Sequence, residues 1–341
     1  MDSPTPAVTL QDVADAAGVS RATASLSLRG KGRFSAETRQ RIEDAARDLG
    51  YVVNVTARNL RTARSGAVGL YVPDHTLSFR YYMDVAFGAV ERAAESDLLV
   101  TLMPTAFRGR SAITEQLDGF IVVDPVDGDP VVERLLTGRR PVVSGEHVPA
   151  GLPAPWATAY GDHVAGMRML LDHLWERGAR RPACMLPDPS MAWGREMAEG
   201  YAAWCAEKGV SEQRVLGWFD TTMDRVRSSF QELLARDDRP DSIVSAPEGM
   251  ALIAVEAIRA AGLVVGRDVL VASYVDSDAL AVTDPPVTSL DLGARQMGRQ
   301  TMDLLADALE GRVERRGSAV EVPISLVVRA STAGIRTETE E

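Results

Sequence analysis

Residues 11–30 read QDVADAAGVSRATASLSLRG. Around them Leu10, Val13, Ala14 and Ala17 fall at i, i+3, i+4, i+7 spacing, which places them on one apolar face of a helix. Just upstream, Thr9-Leu-Gln-Asp12 has the form of a capping box with Asp in place of the usual Glu. A short helix ending near Ala17 follows. Gly18 supplies the open or left-handed conformation of a tight turn, Val19 an apolar plug, and Ser20 an N-cap for a second helix running to about Arg29. A helix, a glycine turn and a second helix make a helix-turn-helix. A third helix begins at the Ser35 cap with Glu37 in its first turn, and its stripe of Ile42, Ala45, Ala46 and Leu49 ends at Gly50.

The charge distribution gives this head a partner. The chain of 341 residues has a formal net charge of -11, yet residues 1–65 hold 10 Lys+Arg against 7 Asp+Glu, and the remainder holds 27 against 41. The head is net +3 and the body net -14. A small basic module on an acidic body can touch a polyanion locally while the rest avoids it.

The run VTLQDVADAAGVSRATASLSLRG, followed by SAETRQRIEDAARDLGYVVNVTARNLR and GAVGLYVPD, closely resembles the head and hinge of the lactose-repressor (LacI/GalR) family of bacterial transcription regulators. The resemblance spans about sixty consecutive positions. It implies that the second helix lies in the major groove of an operator, with Arg21 and Ala22 at the two base-reading positions. Thr9, Ser20, Thr23 and Ser25 would lie against phosphate or base. Arg21 suits a bidentate pair with guanine; Ala22 offers only a methyl contact. Relatives usually carry Arg where this chain has Leu26, so the operator should differ there, with a thymine methyl facing the leucine. In the hinge, Asn54 is a plausible cap, and Ala57 and Leu60 share a face of a helix too short to stand alone. The resemblance implies that this helix forms when two subunits meet on DNA and that Leu60 is wedged into a central minor-groove step, with Arg58, Arg61 and Arg64 on phosphates.

From Gly66 onward, short apolar runs alternate with amphipathic stretches. GAVGLYV, DGFIVVD, PVVSGE, PACMLPD, DSIVSAP and VLVASYV read as buried strands, with helices such as 165–177 and 250–261 between them. Such alternation over more than two hundred residues predicts doubly wound parallel sheets. The fold class is therefore α/β: a helix-turn-helix headpiece followed by a sensor that, by the resemblance, is two-lobed and like a periplasmic binding protein. The expected division is 1–52 for the DNA-binding domain, 53–65 for the hinge and 66–341 for the sensor. Within the sensor, lobe 1 takes about 66–161 and 290–320, and lobe 2 about 162–289 and 321–341.

The resemblance also places an effector between the lobes. Tyr81 and Tyr82 match an aromatic pair that lines the family's cleft; Arg195, five before Gly200, matches a ligand-gripping arginine; Asp276 matches the second of an Asp-Asp pair; and Glu146 falls where relatives often carry Asp. Trp193 and Trp218 are possible stacking platforms. Carboxylates, a guanidinium and an aromatic face are what vicinal hydroxyls and a sugar ring require. The chain departs from the pattern where Pro247 and Glu248 replace Asn-Asp, with Glu248 kept as a candidate ligand contact, where Val275 replaces the first Asp, and in a shortened segment from Thr105 to Leu117.

Other chemistries find little support. Cys184 and Cys205 have no CxxC spacing, and His75, His147, His163 and His173 are scattered singly, so neither a disulfide framework nor a metal is expected. GxGxxG, GxxxxGK[ST] and GxSxG are absent from the strand-to-helix turns, which argues against a nucleotide cofactor or an enzyme. No apolar run is long enough for a membrane span and no signal peptide is evident, so the expected address is the cytoplasm. STAGIRTETEE has no leucine heptads, and a homodimer on a palindromic operator, two heads about 34 Å apart, is the simplest assembly. Two other readings stay open: a ligand-binding sensor whose head has lost its role, and an activator or corepressor-dependent regulator of the same fold.

Overall fold

The computed structural model describes residues 8–28, 32–51, 64–73, 80–103, 114–187, 189–216, 222–312 and 316–335. It comprises two compact units, Met1–Ser65 and Gly66–Glu341.

In the first unit, α1 (Leu10–Ala16) starts at Thr9, whose backbone N–H donates to the Asp12 carboxylate at 2.7 Å while Asp12 N–H donates back to the Thr9 hydroxyl at 3.4 Å. Both orphan donors at the helix start are thus met, and the bonds that the Asp12 carboxylate accepts from the Thr9 N–H and, at 2.8 Å, from the Thr9 hydroxyl hold its carboxyl below the usual range. Gly18 turns the chain at φ +64°, and Val19 N–H returns to the Ala14 carbonyl at 2.9 Å. Helix α2 (Arg21–Ser27) is capped by Ser20 and α3 (Ala36–Asp48) by Ser35. Val13, Ala14, Ala17, Ala24, Ile42 and Ala46 form the shared core, and Arg41 ties α3 to the Ala17 carbonyl at 2.9 Å. Leu49, expected to close the α3 stripe, is instead the C-cap residue and is exposed.

The second unit contains two six-stranded sheets. The first runs β11 (Ser318–Glu321), β5 (Ala157–Tyr160), β4 (Val142–Gly145), β3 (Phe120–Val123), β1 (Ala67–Tyr71), β2 (Leu99–Met103), all parallel. The second runs β12 (Ser325–Val327), β10 (Thr288–Asp291), β9 (Leu270–Ser273), β8 (Ser242–Ser245), β6 (Pro182–Leu186), β7 (Gln213–Leu216), with only β12 antiparallel. Between strands lie α4 (Arg80–Ala94), α5 (Pro130–Thr137), α6 (His163–Glu176), α7 (Ala192–Lys208), α8 (Met223–Leu234), α9 (Met250–Ala260), α10 (Asp278–Val282) and α11 (Ala294–Leu309). The central strands are buried on both faces, as helix-covered parallel sheets require.

The chain passes between the sheets three times: from β5 into α6, from β10 into α11, and from β11 into β12. The second passage carries α11 back onto α4 and the first sheet. There Gly88 and Gly298 face the partner backbone; a methyl on either would collide with the Arg295 or the Val85 carbonyl. The two glycines let the helix axes approach, which fixes α4 and hence the residues at its N-terminus. Cys184 and Cys205 are both free and buried.

Candidate functional site

On α2, Ala24 and Ser27 are buried and hold the helix to the head's core, while Arg21, Ala22 and Leu26 are exposed and Thr23 and Ser25 half-buried. The outward positions are the ones the sequence singles out for base reading. Ser20 and Thr23 are already engaged with each other: Thr23 N–H donates to the Ser20 hydroxyl at 3.1 Å and the two hydroxyls lie 2.8 Å apart. Thr9 is spent on its capping box. The hinge residues Asn54, Ala57, Arg58, Leu60 and Arg61, together with Trp218 and most of the segment from Thr105 to Leu117, lie outside the described residues.

In the second unit, Tyr81, Tyr82, Asp124, Glu146, His163, Trp193, Ala246, Pro247, Glu248, Val275 and Leu292 enclose about 430 Å³ of atom-free space, part of it open to solvent. Asp124 follows β3, Glu146 follows β4, Pro247 and Glu248 follow β8, Val275 follows β9 and Leu292 follows β10. Both sheets thus aim the carboxyl ends of their strands at one cavity, the usual ligand position in open parallel sheets.

Five of the sequence-named ligand residues therefore meet here: Tyr81, Tyr82, Glu146, Trp193 and Glu248. Tyr81 and Tyr82 pack edge to face, ring centroids 5.2 Å apart, and the Tyr82 hydroxyl donates to Asp124 Oδ2 at 2.5 Å. Burial and the neighbouring Glu146 charge push Asp124 up to about 7. The Glu146 carboxylate accepts from Gly161 N–H at 3.2 Å and stands 3.2 Å from His163 Nε2. Burial alone would lower the His163 pKa, but Glu146 and Asp124 outweigh it and the imidazole is raised. Asp124 and Glu146 hold φ of +45° and +81°, a left-handed backbone that non-glycine residues seldom adopt and that tends to cluster at binding sites. Glu248 reaches across to accept from Arg80 N–H and Tyr81 N–H, both at 3.2 Å, so one lobe's carboxylate caps the other lobe's helix α4.

Two named residues are placed elsewhere. Arg195 is exposed on the first turn of α7, donates to the Pro189 carbonyl at 2.6 Å, and is not among the cavity's lining residues. Asp276 borders the adjoining hollow with Arg80, Asp84 and Asp278, and is engaged by Arg329 at 2.7 and 2.9 Å and by Ser289 at 2.6 Å. Burial opposes its ionisation, but those donors keep its carboxyl below the usual range. Two polar cavity residues, Asp124 and His163, were not singled out from sequence as ligand contacts. Asp124 stood in plain view at the end of DGFIVVD, where a strand terminus is itself the signal; His163 has none, because the passage from β5 into α6 brings it to the cavity.

Comparison with known proteins fits both parts. Residues 9–54 match the family profile of bacterial regulatory proteins of the lacI family, and residues 171–332 match the periplasmic binding protein-like domain. The HTH-type transcriptional regulator CelR of Thermobifida fusca is 31% identical over 318 residues, covering 89% of this chain and 92% of its own length. This chain belongs to the lacI family. It is a DNA-binding transcriptional regulator, and the relatives across the family are named as regulators rather than enzymes. The HTH-type transcriptional repressor CytR of Escherichia coli is 26% identical over 340 residues, with 96% and 97% of the two chains covered. Among solved structures, the Lac repressor dimer bound to operator and the anti-inducer ONPF matches with a TM-score of 0.72 at 24% identity, covering 96% of this chain and 99% of that one. The CelR–cellobiose complex matches with a TM-score of 0.70 at 27% identity, covering 95% and 99%. The likeness is one of fold over nearly the whole chain. No helix among the described residues is long and apolar enough to cross a membrane, and no metal-binding cluster occurs among them.

Proposed function

We propose that this chain is a homodimeric, cytoplasmic repressor whose operator affinity is set by a small carbohydrate bound between the sensor's lobes. The observation that carries it is the cavity, where Tyr81, Tyr82 and Trp193 supply ring faces and Asp124, Glu146 and Glu248 supply acceptors for hydroxyls, five of these six being residues the sequence had named. Arg21 and Ala22 read bases, Leu26 meets a thymine methyl, and Ser20, Thr23 and Ser25 border the phosphates. Residues 53–65, with Asn54, Ala57, Arg58 and Leu60, act as the hinge between a DNA-binding domain at 1–52 and the sensor at 66–341. The effector is a sugar in the sense that one relative's solved complex holds cellobiose.

The dimer has a candidate surface. Met83, Phe87 and Val90 are all exposed on α4 at helical spacing, an apolar stripe on a helix whose other face is buried against α11. A second copy covering this stripe would join the helices whose N-termini border the cavity, so ligand and assembly act on one element. A ligand shifts the operator equilibrium only by its differential affinity for the two lobe arrangements.

Selection of bound sequences from a random DNA pool by the purified chain, without ligand, tests the reading. A palindrome with a pyrimidine–purine step at its centre is the expected product, and retention should weaken steeply with salt. If no sequence is enriched even with cell metabolites added, a sensor whose head has no DNA role becomes the better account.

A further inference from the structure

The cavity has an unbalanced charge. Three carboxylates line it, Asp124, Glu146 and Glu248, and the only cationic partner among the described lining residues is the imidazole of His163. Glu248 is held by the first N–H groups of α4, and Glu146 by Gly161 and His163. Asp124 is 4% exposed and has the Tyr82 hydroxyl as its side-chain donor. A buried carboxylate without a cation takes up a proton or finds a charge partner, and the rise of Asp124 to about 7 expresses that need.

A second feature is independent of the carboxylates. The Trp193 indole nitrogen is buried, without a hydrogen-bond partner among the described residues, in a side chain that is 7% exposed and lines the same cavity. An indole N–H is a donor only. It calls for a ligand acceptor, such as a hydroxyl or ring oxygen. The ring faces of Tyr81, Tyr82 and Trp193 in turn favour a cation held against them.

Resting on the reading of this cleft as the effector site, we infer that the effector is an amino sugar, its protonated amine seated at Asp124 and Glu146 and an oxygen accepting from Trp193. A phosphorylated sugar would set its charge against three carboxylates with no arginine or lysine among the described lining residues to meet it. A neutral sugar would bring no cation to Asp124, whose carboxyl would then keep its proton up to about pH 7. Arg195, the one guanidinium the sequence had assigned here, is turned to the Pro189 carbonyl.

The experiment is calorimetric titration of the full-length protein, at one pH and salt, with matched pairs: glucosamine and glucose, galactosamine and galactose, the fully deacetylated chitobiose and cellobiose, with glucosamine 6-phosphate added. At least one amine-bearing sugar should bind about tenfold or more tighter than its neutral match, and the phosphate should abolish the gain. Asp124→Asn should shrink that ratio to under about threefold, with melting temperature as the control for folding and Glu146→Gln as the second variant should Asp124→Asn fail to fold. Neutral sugars binding as tightly as their amine partners overturn the inference and leave the carbohydrate reading standing. So does an amine preference that survives in the folded variants, or binding that needs Arg195, judged by its loss in Arg195→Ala. If no sugar of either kind binds, the effector-site reading itself falls and the inference falls with it.

Discussion

In the head, each helix begins at a hydroxyl that bonds the backbone three residues on, and the core is closed by six residues within a span of 34 positions, Val13 to Ala46. In the cleft, the side chains that meet run from Tyr81 to Leu292, come from both sheets, and include two residues held in a left-handed backbone. The head is thus a local object with little core to spare, and the cleft a long-range one whose geometry depends on how helices and passages are spaced. Truncating the head's core should cost the whole unit, whereas the cleft should be more sensitive to helix spacing than to any one of its own side chains.

The largest expected effect follows from that contrast. Ile42 is fully buried at the centre of the head, and Ile42→Ala should destabilise it by about 2–5 kcal/mol, enough to unfold a unit of this size. Gel retardation with operator should be lost while the sensor's melting stays within error. If DNA binding survives, the head draws stability from beyond its own core.

Next comes the helix contact behind the cleft. Gly298→Ala must push α11 off the Val85 carbonyl, and such overpacking costs about 1–3 kcal/mol. Chemical denaturation should show a lower midpoint for the sensor with the head unchanged, and ligand affinity should fall because α4 carries Tyr81 and Tyr82. Unchanged affinity at reduced stability would separate helix spacing from cavity geometry.

Arg21→Ala tests the head's surface instead of its core. A loss of about 1–3 kcal/mol in specific operator binding, with relaxed preference at one base pair, is expected from removing a bidentate base contact. A uniform loss across all sequences would make Arg21 a phosphate contact. Ser35→Ala, which deletes the cap of α3, should cost about 1 kcal/mol by thermal melting of the head.

The same contrast explains what could be read from the sequence. The head was legible residue by residue, since caps, glycine turns and helical periodicity are local signals. The apolar strands, β1, β3, β4, β6, β8 and β9, were equally plain. The sequence did not announce β5 (ATAY), β10 (TSLD) or β11 (SAVE), which match the other strands in length but are rich in small or polar types; they are strands because neighbouring strands pair with them, a tertiary effect that outweighs propensity. In the cavity, aromatic and acidic residues were visible by resemblance, but Asp276 is engaged by Arg329, 53 positions away, a partner that no local pattern reveals. His163 became a cavity residue only through the passage between lobes.

The smallest effect lies at the edge of the cleft, where His147, after β4, meets Glu196 of α7 at 2.8 Å and stacks on Tyr160 with ring centroids 4.6 Å apart. Its bond to Glu196 raises the His147 pKa against the opposing effect of burial, with Glu146 assisting and His163 resisting. A raised folded pKa means the pair stabilises the lobe contact fully below the ordinary histidine value of about 6.5 and loses that contribution as pH climbs through the raised value. Because the His147 side chain is 44% exposed, solvent screening keeps the contribution under about 1 kcal/mol. Glu196→Gln should therefore lower the sensor's melting temperature slightly at pH 6 and not at pH 9. Asp124, pushed up to about 7, and His163, also raised, are present in both proteins, so the difference between wild type and variant largely removes them; the weaker pull of Glu196 on His163 acts in the same direction. A difference that is the same at both pH values would show that Glu196 acts there as a neutral hydrogen-bond partner, and that the two lobes are joined at this edge by packing and not by charge.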